Sequence, residues 1–148
     1  MAAFRYSFQK IVDLKGSEKT QAEWQLSAAI GELAAEEKLL RELEQERYAW
    51  EQKLLHCSEQ AVPLSELQSI QLYLDHLISR IVNKSNDVQR AQRAVDRCRS
   101  QLADRMKDEK VWLKAKENAF ERFRYALQIK EQNELDEMAT VRFMIPTQ

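Results

Sequence analysis

Apolar residues recur along this chain on alternating three- and four-residue steps, a heptad rhythm broken once, at Pro63. After the proline the seam reads Leu67, Ile70, Leu74, Leu77, Ile81, Val88, Ala91, Val95, Cys98, Leu102, Trp112, Ala119, Phe123 and Ala126, all in one phase. Before it the seam reads Phe8, Val12, Lys15, Lys19, Ala22, Leu26, Ala29, Leu33, Glu36, Leu40, Leu43, Arg47, Trp50, Leu54 and Cys57, with eleven of the fifteen apolar. A stripe of this spacing is buried only against another helix. The pattern therefore predicts an all-α fold: a long two-helix antiparallel coiled-coil hairpin forming one coiled-coil domain over residues 1–148. Helix 1 is expected at about 4–61, the turn at about 61–65 and a longer helix 2 at about 65–142.

Local signals support this division. Pro63 lacks a backbone donor and clashes with the preceding helical turn, so no single helix runs through it. Ser65 stands three residues before Gln68, the spacing of a capping box opening helix 2. Residues 83–87 (Asn-Lys-Ser-Asn-Asp) are poor helix formers, and a break there would give a three-helix bundle. Ile81 and Val88 hold the heptad phase across them, which favours one continuous helix. A hairpin centred on residues 62–63 sets position i opposite roughly 125 − i, given the short connection. That register brings Lys15 near Glu109, two polar residues on the seam.

In the same register helix 1 ends opposite about residue 120. The residues from there to Gln148 have no partner in their own chain, yet they carry Phe120, Phe123, Tyr125, Leu127, Ile129, Leu135, Met138, Val141, Phe143 and Ile145. An apolar overhang of this kind calls for a partner or for self-association.

Composition narrows the functional classes. The 148 residues include 2 Gly and 2 Pro, too few for the turns of a sheet or compact α/β domain, and 32% of the chain is charged. Net charge is −1, so no global field draws the chain to nucleic acid or anionic lipid. Locally, residues 32–51 hold seven Glu and residues 84–107 seven Lys or Arg, either two solvated faces that attract along the hairpin or separate docking surfaces. The basic stretch lacks interleaved aromatics, which argues against nucleic acid. No apolar core of a secretory signal and no bilayer-length apolar run occurs, so a cytoplasmic protein without membrane insertion is expected.

Candidate chemistry is sparse. His56, Cys57, His76 and Cys98 are the soft metal ligands, and the register separates the two cysteines by about 45 Å along helix 2, too far for a disulfide or a shared metal. No phosphate loop, nucleophile elbow or metalloprotease pattern is present, and a two-helix rod gives its carboxylates no enclosed cleft. No enzyme activity, cofactor or metal is expected. Near the turn, Tyr48, Tyr73, Leu72 and Ile78 lie off or beside the seam. They either cover it or form a docking patch, where tyrosine is a frequent hot spot.

The opening Phe4-Arg5-Tyr6-Ser7-Phe8-Gln9-Lys10-Ile11-Val12-Asp13-Leu14-Lys15 resembles that of the FliJ family of flagellar export proteins. Glu134-Leu135-Asp136-Glu137-Met138-Ala139 is similar to the family's C-terminal region, as is Ile70-Gln71-Leu72-Tyr73-Leu74 after the turn, with Ile70 where the family more often has Tyr. The resemblance spans the whole chain. It implies an antiparallel coiled coil like the central stalk of rotary ATP synthases, seated in the hexameric ATPase ring of the flagellar type III export apparatus. Such a stalk promotes ring assembly and ATP hydrolysis, links the ring to the membrane export gate and handles export-substrate chaperones. It works in the cytoplasm at the flagellar basal body, in service of motility and chemotaxis. Carried onto this chain, ring-binding residues would be Phe4, Tyr6, Phe8, Ile11, Phe123, Leu127, Leu135 and Met138. Gate-binding residues would be Tyr48, Tyr73, Leu77, Arg80 and Lys84, the last two departing from the family's more apolar pattern. The rival readings are a generic coiled-coil adaptor or oligomerisation protein, and the equivalent stalk of a non-flagellar type III secretion system.

Overall fold

The computed structural model describes residues 3–144 and contains two helices, α1 (Gln9–Ser58) and α2 (Leu64–Met144), packed against each other as an antiparallel hairpin. Long helices follow from a chain rich in Ala, Glu, Lys, Leu, Gln and Arg, whose backbone and rotamers lose little in the helical state. Residues 83–87 are helical and α2 is unbroken through them. No helix among the described residues is long and apolar enough to cross a membrane.

The helix ends depart from the predicted bounds. α1 begins at Gln9, not near Phe4: Ile11 and Val12 donate to the carbonyl of Phe8, and Gln9 donates to that of Tyr6. At its C-terminus, Ser58 Oγ bonds the Leu55 carbonyl at 2.7 Å, and Glu59 and Gln60 donate to the carbonyls of His56 and Cys57, which satisfies groups that a helix end leaves open. α2 starts one residue earlier than predicted. Glu66 and Leu67 donate to the carbonyl of Pro63, so the proline itself caps the helix and Ser65 lies inside it. Ser65 forms no capping box; its carbonyl accepts Ser69 Oγ at 2.9 Å.

Packing divides the described residues into two units, one formed by the chain up to Thr20 with Asp104 onward, the other by Gln21–Ala103. In the second unit the core is Ala22, Ala29 and Leu43 from α1 with Ile70, Leu74, Leu77 and Val95 from α2. Every one is a seam position of the heptad pattern. In the first unit Val12 is buried.

The polar seam residues are paired. In the first unit Lys19 meets Glu109 at 3.1 Å, while Lys15 lies 3.5 Å from Glu18 and 3.8 Å from Asp108. The predicted Lys15–Glu109 pair is thus displaced by one helical turn: Lys19 takes the Glu109 carboxylate, and Lys15 turns to the neighbouring Asp108. In the second unit Lys84 Nζ lies 3.0 Å from Glu36, and Arg47 bonds Glu51 on its own helix at 2.8 Å.

Candidate partner-binding surfaces

Residues 3–8 precede α1 and continue its antiparallel course along α2 within the first unit. The Phe4 ring stands 5.2 Å from that of Phe120, edge to face, and 5.4 Å from that of Phe123. Phe8 lies 5.7 Å from Tyr6 and 6.0 Å from Trp112. These separations suit aromatic pairs, which add to plain area burial. Phe4, Tyr6, Ile11, Phe123 and Leu127 are half-buried and Phe8 is exposed. The aromatic cluster therefore clasps the leading segment to α2.

Beyond Leu127 every described residue of α2 is exposed. Leu135, Met138, Val141 and Met144 follow one another at three-residue steps, and Phe143 beside them is 95% exposed. All eight predicted ring-binding residues lie in the first packing unit. Ile145, also expected on the overhang, lies outside the described residues.

The five predicted gate-binding residues do not share one face. Tyr48 and Arg80 are exposed. Leu77 is 0% exposed: it sits on the seam and offers no side chain to a surface partner, a correction to its expected role. Lys84 is occupied by Glu36 and by Asp87 at 3.4 Å, and its hydrogen bond to Glu36 is the main cause raising its pKa above the usual lysine value. Tyr73 is half-buried, its ring 4.8 Å from that of Trp50, and its hydroxyl donates to Glu46. That hydrogen bond, followed by burial, raises the Tyr73 pKa.

Trp50 and Lys53 complete this cluster and were missed as site residues. Lys53 Nζ stands 4.4 Å from the Trp50 ring centre, a cation–π contact. With Cys57, Ser69, Ile70 and Tyr73 they line an open groove beside the turn. The signal was available: the predicted register already set Trp50 about opposite Tyr73. Leu55, Leu64 and Leu72 are exposed nearby. Cys57 and Cys98 are free thiols, and no cluster of three or more His, Cys, Asp or Glu able to hold a metal occurs among the described residues.

The fold is shared by a solved structure described as that of a YscO homolog, CT670, from Chlamydia trachomatis, with a TM-score of 0.60 and 21% sequence identity over 95% of this chain and 96% of that one. No curated protein sequence matches the chain. The family described as flagellar FliJ protein matches residues 4–146, nearly the whole chain. The two-helix hairpin, with its longer second helix and aromatic opening, belongs to the flagellar FliJ protein family, components of the flagellar export apparatus.

Proposed function

We propose that this protein is a non-catalytic stalk of flagellar protein export that acts on a hexameric export ATPase. Its first unit would enter the ring, through Phe4, Tyr6, Phe8 and Ile11 on one side and Phe123, Leu127, Leu135 and Met138 on the other. Contact with the ring would promote assembly and ATP hydrolysis, and it does so only by binding some ring states better than others. The observation that carries this reading is the strip of exposed apolar residues on α2 beyond Leu127, a surface in need of a protein partner.

The turn end would reach the membrane export gate through Tyr48, Tyr73, Arg80 and the groove beside Trp50. Export-substrate chaperones are further partners in this reading, and the protein would work in the cytoplasm at the base of the flagellum. The test is ATP hydrolysis by the cognate export ATPase with the full chain and with a Leu135→Gln/Met138→Gln variant. Both residues are exposed, so the variant keeps its fold. Stimulation by the full chain that the variant loses supports the stalk; equal rates with and without the protein overturn it.

A further inference from the structure

The outward face of α1 between Gln21 and Ala35 carries no charge. Gln21, Trp24, Ala28, Gly31 and Ala35 follow one another there at steps of three and four, all exposed. Trp24 is 72% exposed, and a side chain added at Gly31 would meet nothing within 4 Å. Coiled-coil helices ordinarily carry their charges on the outward face. Here the charges of the segment stand at its two edges and are both acidic, Glu23 on one side and Glu32 on the other. Neither has an ion-pair partner among the described residues.

The neighbouring stretch of α2 has the opposite character. Glu32 and Ala35 line one groove with Arg90 and Ala94, so Arg93 stands level with Glu32 along the hairpin. Arg97, one turn further, comes level with Ala28 and within reach of the height of Trp24. Arg90, Arg93 and Arg97, again at steps of three and four, form an exposed row. Arg90 pairs with Asp87 on its own helix, while Arg93 and Arg97 pair with no carboxylate among the described residues.

Ala22 and Ala29 are buried on α1 and Val95 is 1% exposed on α2, so the outward positions of the two helices lie on opposite outsides of the hairpin. Arg93 and Arg97 therefore cannot cover the Trp24 face of their own chain. We infer that a second copy of this chain covers that face, its Arg93 set against Glu32 and its Arg97 against the Trp24 ring. Two hairpins placed side by side in the same direction, without axial shift, bring Arg93 level with Glu32 and Arg97 level with Ala28, one turn from Trp24 and within reach of its ring. Ala28, Gly31 and Ala35 leave room for arginine stems, and a guanidinium stacks readily on an indole. The two patches differ, so the contact is heterologous and can repeat from copy to copy. It uses none of the residues assigned to the ATPase ring.

The test is sedimentation velocity on the full chain. Its average sedimentation coefficient should rise with concentration at about 50 mM salt and stop rising at about 500 mM, where the Debye length falls to a few ångströms. Arg93→Glu and Glu32→Arg should each weaken association about tenfold, and mixing the two variants should restore it, because each then meets an opposite charge on the other. Trp24→Ala should weaken it without lowering helix content. A chain monomeric at low salt, charge swaps without effect, or a mixture that stays monomeric overturns the inference. So does association that Leu135→Gln/Met138→Gln abolishes, since the contact would then lie on the other unit, as does association that appears only with a basic partner protein.

Discussion

Lys84 reaches from α2 to Glu36 on α1, its Nζ 3.0 Å from Oε2, and Asp87 holds the same ammonium at 3.4 Å. The pair sits where the heptad seam is polar on both helices, at the start of the poor helix-forming run 83–87. A charged pair on a seam selects register, because any slip leaves both groups against apolar neighbours. Lys84→Met keeps the stem and removes the charge. It should lower the melting temperature slightly, as should Glu36→Gln, and the double variant should lose less than the two losses combined. Additive losses in a double-mutant cycle would show that the two groups do not act together.

The hydroxyl of Tyr73 and the ammonium of Lys84 both titrate above their ordinary values, Tyr73 chiefly through Glu46 and Lys84 chiefly through Glu36. A group that holds its proton more tightly folded than unfolded stabilises the fold fully below its unfolded pKa and loses that stabilisation as pH rises through the folded one. The ordinary values are 10.0 and 10.5, so both contributions are intact at neutral pH and fade only in strong alkali. Thermal melts should therefore show a steeper alkaline loss for the native chain than for a Tyr73→Phe/Lys84→Met variant. Parallel curves through that range would dismiss the two hydrogen bonds as stabilising.

Core positions can be told from surface positions by the same substitution. Leu77 is fully buried and Leu72, five residues away, is 69% exposed. Leu77→Ala should cost about 2–4 kcal/mol, the lost transfer energy plus an unfilled cavity, whereas Leu72→Ala should stay within about 0.5 kcal/mol. Urea unfolding followed by circular dichroism measures both. A loss at Leu72 comparable to that at Leu77 would mean that another surface covers Leu72.

The seam was legible because it is set by period alone, and all eight buried apolar residues fall on it. The start of α1 was less so. Phe4, Tyr6 and Phe8 recur at a step of two, which is not helical; expected inside helix 1, Phe4 and Tyr6 instead belong to a leader in which Phe4 and Phe8 pack on α2 and Tyr6 packs on Phe8. Register was legible to within one turn. Long lysine side chains then decided whether Lys15 or Lys19 took Glu109, and no sequence pattern records that reach. The predicted gate residues scattered because Leu77 satisfies two patterns at once, a seam position and a family motif, and burial on the seam prevailed. Trp50 was visible on the seam, but its cluster with Tyr73 and Lys53 arises from side-chain geometry.

The two glycines, both inside α1, should respond differently to alanine. Helical Gly costs roughly 0.5–1 kcal/mol against Ala, through the larger entropy of its unfolded chain. Gly31 faces open space, so Gly31→Ala should recover most of that amount. A side chain at Gly16 would stand 3.3 Å from Glu109 Oε2, the carboxylate that accepts Lys19. The carboxylate can shift, but doing so loosens the Lys19–Glu109 pair in its half-buried setting. Gly16→Ala should therefore gain less than Gly31→Ala, and the deficit should disappear when Glu109 is also replaced by Ala. Equal gains in urea midpoint for both single variants would show that Glu109 moves without consequence.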